Sequence, residues 1–175
     1  MSGGHAVRPL EAVGERELRE LGDVLIDCVE GGDSIGFMLP MTREKADRFW
    51  RGVADGIAAG DRRVFVAEDP GGVIVGTVSV VWAPQENQPH RAEIAKLQVH
   101  RRARRRGLGA ALMAAAERAA AEAGRTVLVL DTASPDAERL YERGGWTRCG
   151  VIPGYALLPD GARCDTVVFW KHLEG

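Results

Sequence analysis

Arg104-Arg105-Arg106-Gly107-Leu108-Gly109 joins clustered guanidinium charge to two glycines, between a strand-like run, Ile94 to Val99, and an Ala-rich helical stretch, Ala110 to Ala123. Glycines at 107 and 109 allow the backbone to approach a ligand closely. The first turn of a helix adds N–H groups without partners and the positive end of the helix dipole. Such a turn is a cradle for an anion of pyrophosphate size. Its Arg-x-x-Gly-x-Gly spacing fits neither a P-loop nor a dinucleotide-binding fingerprint. The plainer alternative is a solvated basic run or nucleic-acid patch, and the flanking strand and helix weigh against it. Two carboxylates can move protons nearby: Glu93, inside a strand-like segment, and Asp131, at the end of an apolar strand.

These groups need a scaffold, and its elements can be read in order. A strand over Ala6 to Leu10 is followed by a helix over Glu15 to Glu30, with Leu18, Leu21, Leu25 and Val29 at helical spacing. Gly31-Gly32 ends it, and a loop from Asp33 to Met41 leads to a second helix, Thr42 to Ala59, with Ala46, Phe49, Trp50, Val53 and Ile57 on one face. Arg62 to Glu68 and Val73 to Trp82 form a hairpin around Asp69-Pro70-Gly71-Gly72. Next come a polar loop, Ala83 to His90, a strand from Arg91 to Val99, the Ala-rich helix, and a strand from Thr126 to Asp131. Ser134 N-caps a short helix that Gly144 closes, and strands Thr147 to Val151 and Asp165 to Trp170 complete the chain.

The Arg104 to Gly109 turn, with Gly-Ala-Ala-Leu-Met following, resembles motif A of the GCN5-related N-acetyltransferases. Ser134, Ala137, Tyr141, Gly145 and Trp146 fall where that family carries a second, ordered motif. The element order is similar too. The resemblance implies an α/β (α+β) GNAT fold: a mixed, mostly antiparallel sheet, helices on both faces, and fourth and fifth strands that splay apart. It also implies acetyl-CoA as the acyl donor. Gly36-Phe37-Met38-Leu39-Pro40, Asn87 to Leu97, Leu128 to Thr132, Pro153-Gly154-Tyr155 and Pro159-Asp160-Gly161 look most like the tabtoxin-resistance acetyltransferases, which acetylate a small amine-bearing toxin.

Several roles follow from the resemblance. Arg104, Arg105, Arg106, Gly107, Leu108, Gly109, Ala110 and Ser134 would hold the cofactor phosphates. Leu97, Gln98 and Val99 would pair with the pantetheine arm, an N–H near Val99 polarising the thioester carbonyl. Presenting a neutral lysine-like amine at pH 7 costs roughly 4.6 kcal/mol, so a base must help. Glu93 is the leading candidate, with burial raising its pKa; simple alternation puts it on one face with Ala95, Leu97 and Val99, unless a β-bulge re-aims it. A structural ion pair with Arg91 or Lys96 is its other reading. Asp131 would orient the amine or organise the following turn, and Tyr141 would protonate the departing thiolate or pack in the core. Phe37, Met38, Trp50, Trp82, Asn87 and His90 are the candidate acceptor contacts. His90 is also a weaker alternative base.

Composition excludes other classes. The chain has 175 residues, 45% of them hydrophobic, and a formal net charge of -2. That length suits a single domain with its own core, and that charge does not suit a nucleic-acid binder. Positive charge is instead focused at Arg101, Arg102, Arg104, Arg105 and Arg106. No apolar run reaches the ~18 residues of a membrane span, and the stretch MSGGHAVRPLEAVGE lacks a signal-peptide pattern. Cys28, Cys149 and Cys164 have no metal-ligand or redox spacing, so free thiols, no metal site and a cytoplasmic location are expected. Nothing near Cys149 would activate it as a nucleophile, which favours direct transfer to a small-molecule amine in a ternary complex. The expected state is a monomer or homodimer.

Overall fold

The structure, a computed structural model, describes residues 4–174; the first three residues of the amino-terminal stretch lie outside it. In chain order the elements are β1 (Ala6–Pro9), α1 (Glu15–Glu30), α2 (Arg43–Ala59), β2 (Arg62–Glu68), β3 (Ile74–Trp82) and β4 (Arg91–Val99). A single 3₁₀ turn (Arg101–Ala103) leads to α3 (Leu108–Glu122), β5 (Val127–Thr132), α4 (Pro135–Arg143), β6 (Thr147–Leu157) and β7 (Arg163–His172). One seven-stranded sheet in the order β1-β2-β3-β4-β5-β7-β6 carries them all. Every neighbour pair is antiparallel except β4 with β5. The mixed sheet and helices match the architecture expected from the sequence. β6 and β7 run several residues longer than predicted, because their turn-proximal ends pair with each other and need no covered apolar face.

Two apolar layers sandwich the sheet. On one face α1 and α2 bury Leu21, Val24, Leu25, Ala46, Trp50 and Val53 against Val64, Val66 and Ile74. On the other, Leu112, Met113, Ala116 and Ala120 of α3 pack with Val78, Val80, Ile94, Leu128 and Phe169. The Ala-rich sequence of α3 lets it lie close to the strands. Gly76 on β3 serves the same contact, since a Cβ there would stand 3.2 Å from both the Leu112 side chain and the Gln98 carbonyl oxygen. α4 joins this layer through Tyr141, whose ring centroid lies 5.7 Å from that of Phe169. Glu117 of α3 ties the region together: one carboxylate oxygen accepts from Trp146 Nε1 at 2.8 Å and the other from Lys171 Nζ at 2.7 Å.

The junction of β4 and β5 sets up the site. Only Arg91, Ala92 and Glu93 pair with β5, opposite Val127, Leu128 and Val129. Beyond Glu93 no ladder joins the two strands, and the sheet opens there. β4 also carries a bulge: Ser79 lies opposite Ala95 but Thr77 opposite Gln98, so β4 has one extra residue, and Lys96 takes a left-handed φ of 54°. The extra residue overturns simple alternation. Leu97 and Val99 join Ala92 and Ile94 on the α3 face, while Glu93, Ala95 and Gln98 share the other.

Candidate active site

α1 and α2 cover β2 to β4 but leave the same face bare over β5 and β7. A cavity of about 170 Å³ lies there, lined by Glu93, Val129, Asp131, Thr166, Val168 and two β6 side chains, Ile152 and Tyr155. Strand parity explains the grouping, because Glu93 lies opposite Val129 and Asp131 opposite Val168. Asp131 Oδ2 accepts from the buried Thr166 hydroxyl at 2.7 Å, which fixes the carboxylate at the cavity wall. Glu93 is exposed to the cavity rather than buried, and it forms no ion pair with Arg91 or Lys96 among the described residues. The Arg91 guanidinium turns instead to Gln88 Oε1, 2.6 Å away.

Tyr141 lies on the opposite, α3-side face of the sheet, packed against Phe169 of β7. It is buried, and its hydroxyl has no hydrogen-bond partner among the described residues. Burial, and then the Asp131 charge, push its pKa up to about 12, so the phenol keeps its proton throughout the neutral range. The two carboxylates and the protonated phenol thus lie on opposite faces of the sheet. Ser134 caps α4 as its type predicts, its hydroxyl accepting from the Ala137 N–H at 3.3 Å.

The glycine turn leaves the start of α3 open. Gly107 N-caps α3 at φ 76° with open space where a Cβ would be, and no side chain caps the helix. The first intrahelical bond is Ala111 N–H to the Gly107 carbonyl, so the N–H groups of Leu108, Gly109 and Ala110 have no partner among the described residues. Gly109 has a second reason to lack a side chain: its Cβ would lie 3.1 Å from Leu140 Cδ2, where α4 crosses.

The arginine cluster divides in two. Arg101 pairs with Asp27, Arg102 with Asp69 and Arg104 with Asp33, at 3.0, 3.2 and 2.6 Å. Arg104 Nε also donates to the Val99 carbonyl at 2.9 Å. This side chain braces the end of β4 against the α1–α2 loop rather than standing free for a phosphate. Arg105 and Arg106 are exposed and have no ion-pair partner among the described residues.

The Asp27 pair makes a pH prediction. Burial pushes Asp27 upward, but the Arg101 backbone N–H and guanidinium outweigh it and hold the carboxyl below its ordinary value. A depressed folded-state pKa contributes stability above the unfolded value of about 3.9 and loses it as pH falls through the lower folded value. Urea denaturation of Asp27→Asn should show a deficit against wild type at about pH 6 that shrinks toward zero near pH 2.

None of the six predicted acceptor contacts lines the cavity. Trp50 is fully buried between α1 and α2. Trp82 points to the α3 face, where the Arg125 guanidinium stacks 4.8 Å from its ring. Asn87 and His90 are exposed in the loop before β4, at the end where β4 and β5 are joined. Phe37 packs edge-on against Phe49 at 5.3 Å, while Met38 is exposed beside it; neither lines the cavity. Sequence reasoning missed Thr166, Ile152 and Tyr155, which reach the site only through the β6–β7 register. All three cysteines are free, and burial pushes the Cys28 thiol up to about 12, away from nucleophilic use. Among the described residues no group of side chains is arranged to hold a metal ion, and no helix is long and apolar enough to cross a membrane.

Comparison with known proteins agrees with this geometry. The chain is 31% identical over 166 residues to an uncharacterized N-acetyltransferase of the hisH-hisA intergenic region of Azospirillum brasilense, covering 94% of this chain and 91% of that one. Its fold is similar to a phosphinothricin acetyltransferase from Sinorhizobium meliloti in complex with AcCoA (TM-score 0.79, 17% identity, 97% of this chain and 88% of that one). It is equally similar to a ribosomal-protein-alanine N-acetyltransferase from Brucella melitensis (TM-score 0.78, 24% identity, 96% and 99%). Residues 29–146 match the Acetyltransferase (GNAT) family; with the splayed strands and the uncapped α3 turn, this chain belongs to the GNAT acetyltransferases.

Proposed function

We propose that this protein transfers an acetyl group from acetyl-CoA directly to the amine of a small acceptor. The observation that supports the reading is a cavity that gathers Glu93 and Asp131 on one face of the sheet, with the buried, protonated Tyr141 on the other face. The chain fits the donor. Leu108, Gly109 and Ala110 offer free N–H groups to a pyrophosphate, Arg105 and Arg106 add unpaired charge, and the unladdered stretch of β4 from Leu97 to Val99 leaves main-chain groups for a pantetheine arm.

Bound acetyl-CoA supplies an activated acetyl thioester. The protein's own groups handle the protons. Asp131, held by Thr166, orients the acceptor amine by charge, and Glu93 takes its proton, directly or through water in the open cavity. The Tyr141 phenol donates to the departing sulfur. The phenol starts protonated, so the acid is loaded before the reaction begins. The small cavity favours a compact acceptor, of the kind acetylated by phosphinothricin and tabtoxin-resistance acetyltransferases, over an extended peptide.

Acetyl-CoA-dependent thiol release with a panel of amino acids, small amines and peptides tests the proposal. Release with a small-amine class, and a KM for acetyl-CoA raised roughly 10-fold or more in Arg105→Ala/Arg106→Ala with little change in kcat, is the expected result. Release with amino-terminal peptides alone would move the assignment to protein acetylation. Binding of acetyl-CoA with no release from any acceptor would sink the transferase mechanism.

A further inference from the structure

Lys96 is a cation of β4, three residues beyond Glu93, that neither motif absorbs. The β4 bulge puts it on the same face as Glu93, and its Nζ reaches the α1–α2 loop, 3.4 Å from where a Cβ of Gly36 would sit. Gly36 is itself at φ 93°, so the loop brings bare backbone to the ammonium. Holding a non-glycine residue at φ 54° costs on the order of 1 kcal/mol. Yet the head it positions makes no salt bridge and no hydrogen bond among the described residues. Burial lowers the Lys96 pKa, while Asp131 and Glu93 act in the opposite direction. A half-desolvated ammonium without a partner is unfavourable, and an arriving anion would relieve it.

The two carboxylates make the same point from the acceptor's side. Glu93 and Asp131 attract an amine but repel any acid group attached to it. We infer that Lys96 is the anchor for a carboxylate carried by the acceptor, so that the substrate class is an α-amino acid or close analogue rather than a simple amine. An α-amino acid bears its cation and anion on one carbon. Seated here, its amine faces Glu93 and Asp131 while its carboxylate replaces the partner that Lys96 lacks.

This inference rests on the transferase reading, and matched acceptors separate the two. L-methionine is compared with 3-(methylthio)propylamine, and L-phenylalanine with phenethylamine, in wild type, Lys96→Met and Lys96→Arg. The wild-type preference in kcat/KM for each amino acid over its decarboxylated partner should fall roughly 10–100-fold in Lys96→Met, mainly through KM, with partial recovery in Lys96→Arg. Equal losses on both members of a pair, or an unchanged preference, would overturn the anchor while leaving acetyl transfer intact. Calorimetric binding of N-acetyl-L-methionine to the CoA-loaded protein reads the anchor without turnover. Affinity at least 10-fold weaker in Lys96→Met supports it, and equal affinity in both proteins overturns it even if no acceptor is ever acetylated.

Discussion

Replacing Tyr141 with phenylalanine lowers kcat by roughly 10²–10³ while leaving the KM for acetyl-CoA near its wild-type value, as expected for loss of a general acid that acts only as the thiol departs. The substitution removes one oxygen from a ring that stays packed against Phe169 and Trp146. Because the hydroxyl has no partner among the described residues, thermal stability should barely change, and a loss of rate cannot be blamed on a loss of fold. The pH profile supplies a second check. With the phenol pushed up to about 12 by burial and by Asp131, the acid stays loaded through the working range. The wild-type rate should rise as the acceptor amine deprotonates and should show no descending limb until the solution approaches the pKa of the phenol. A descending limb near pH 8 that persists in Tyr141→Phe would assign the acid to another group, whereas one that disappears would keep the phenol as the acid but place its ionisation below the value that burial implies.

Trp50→Ala should destabilise the protein by roughly 3–5 kcal/mol, the range for emptying a large aromatic from a packed core. Trp50 has no exposed surface and stacks against Phe49 at 4.9 Å, which in turn meets Phe37. Its indole N–H is buried without a partner among the described residues, so the ring serves as apolar volume alone. Trp50→Phe therefore costs much less, on the order of 1 kcal/mol, since it deletes an unsatisfied donor along with part of the volume. Urea denaturation separates the two variants. A Trp50→Phe protein of near-native stability with an altered acceptor KM would return this residue to the binding site.

Trp50 and Lys96 show where the sequence is legible and where it is not. Local rules name what lies within a turn or two: the Ser134 cap, the Gly107 start of α3, and the helical spacing that puts Leu21, Leu25 and Val29 in one layer. Family resemblance then supplies the sheet order and the gap beside β4. Neither source reveals a register. One extra residue between Ala95 and Gln98 sends Leu97 and Val99 to the α3 face and leaves Lys96 on the face of Glu93, and only the hydrogen bonds to β3 decide that. Aromatic residues are ambiguous for a related reason: Trp50 and Trp82 suit a pocket or a core equally well, and the face they occupy settles which. Arg104 lies 71 residues from Asp33 in sequence, so nothing local distinguishes its bracing role from the free charge of Arg105 and Arg106.

The three-residue pairing of β4 with β5 reaches beyond catalysis. A seam this short leaves the cohesion of the sheet there to the helices behind it and to whatever lies in the opening. A ligand whose arm completes that missing ladder binds the folded chain and not the unfolded one, so it draws the folding equilibrium toward the native state by mass action. At a concentration 100 times its dissociation constant such a ligand adds about 2.7 kcal/mol, a large part of the margin by which most domains stay folded. Resistance to proteolysis should then rise with the concentration of such a ligand.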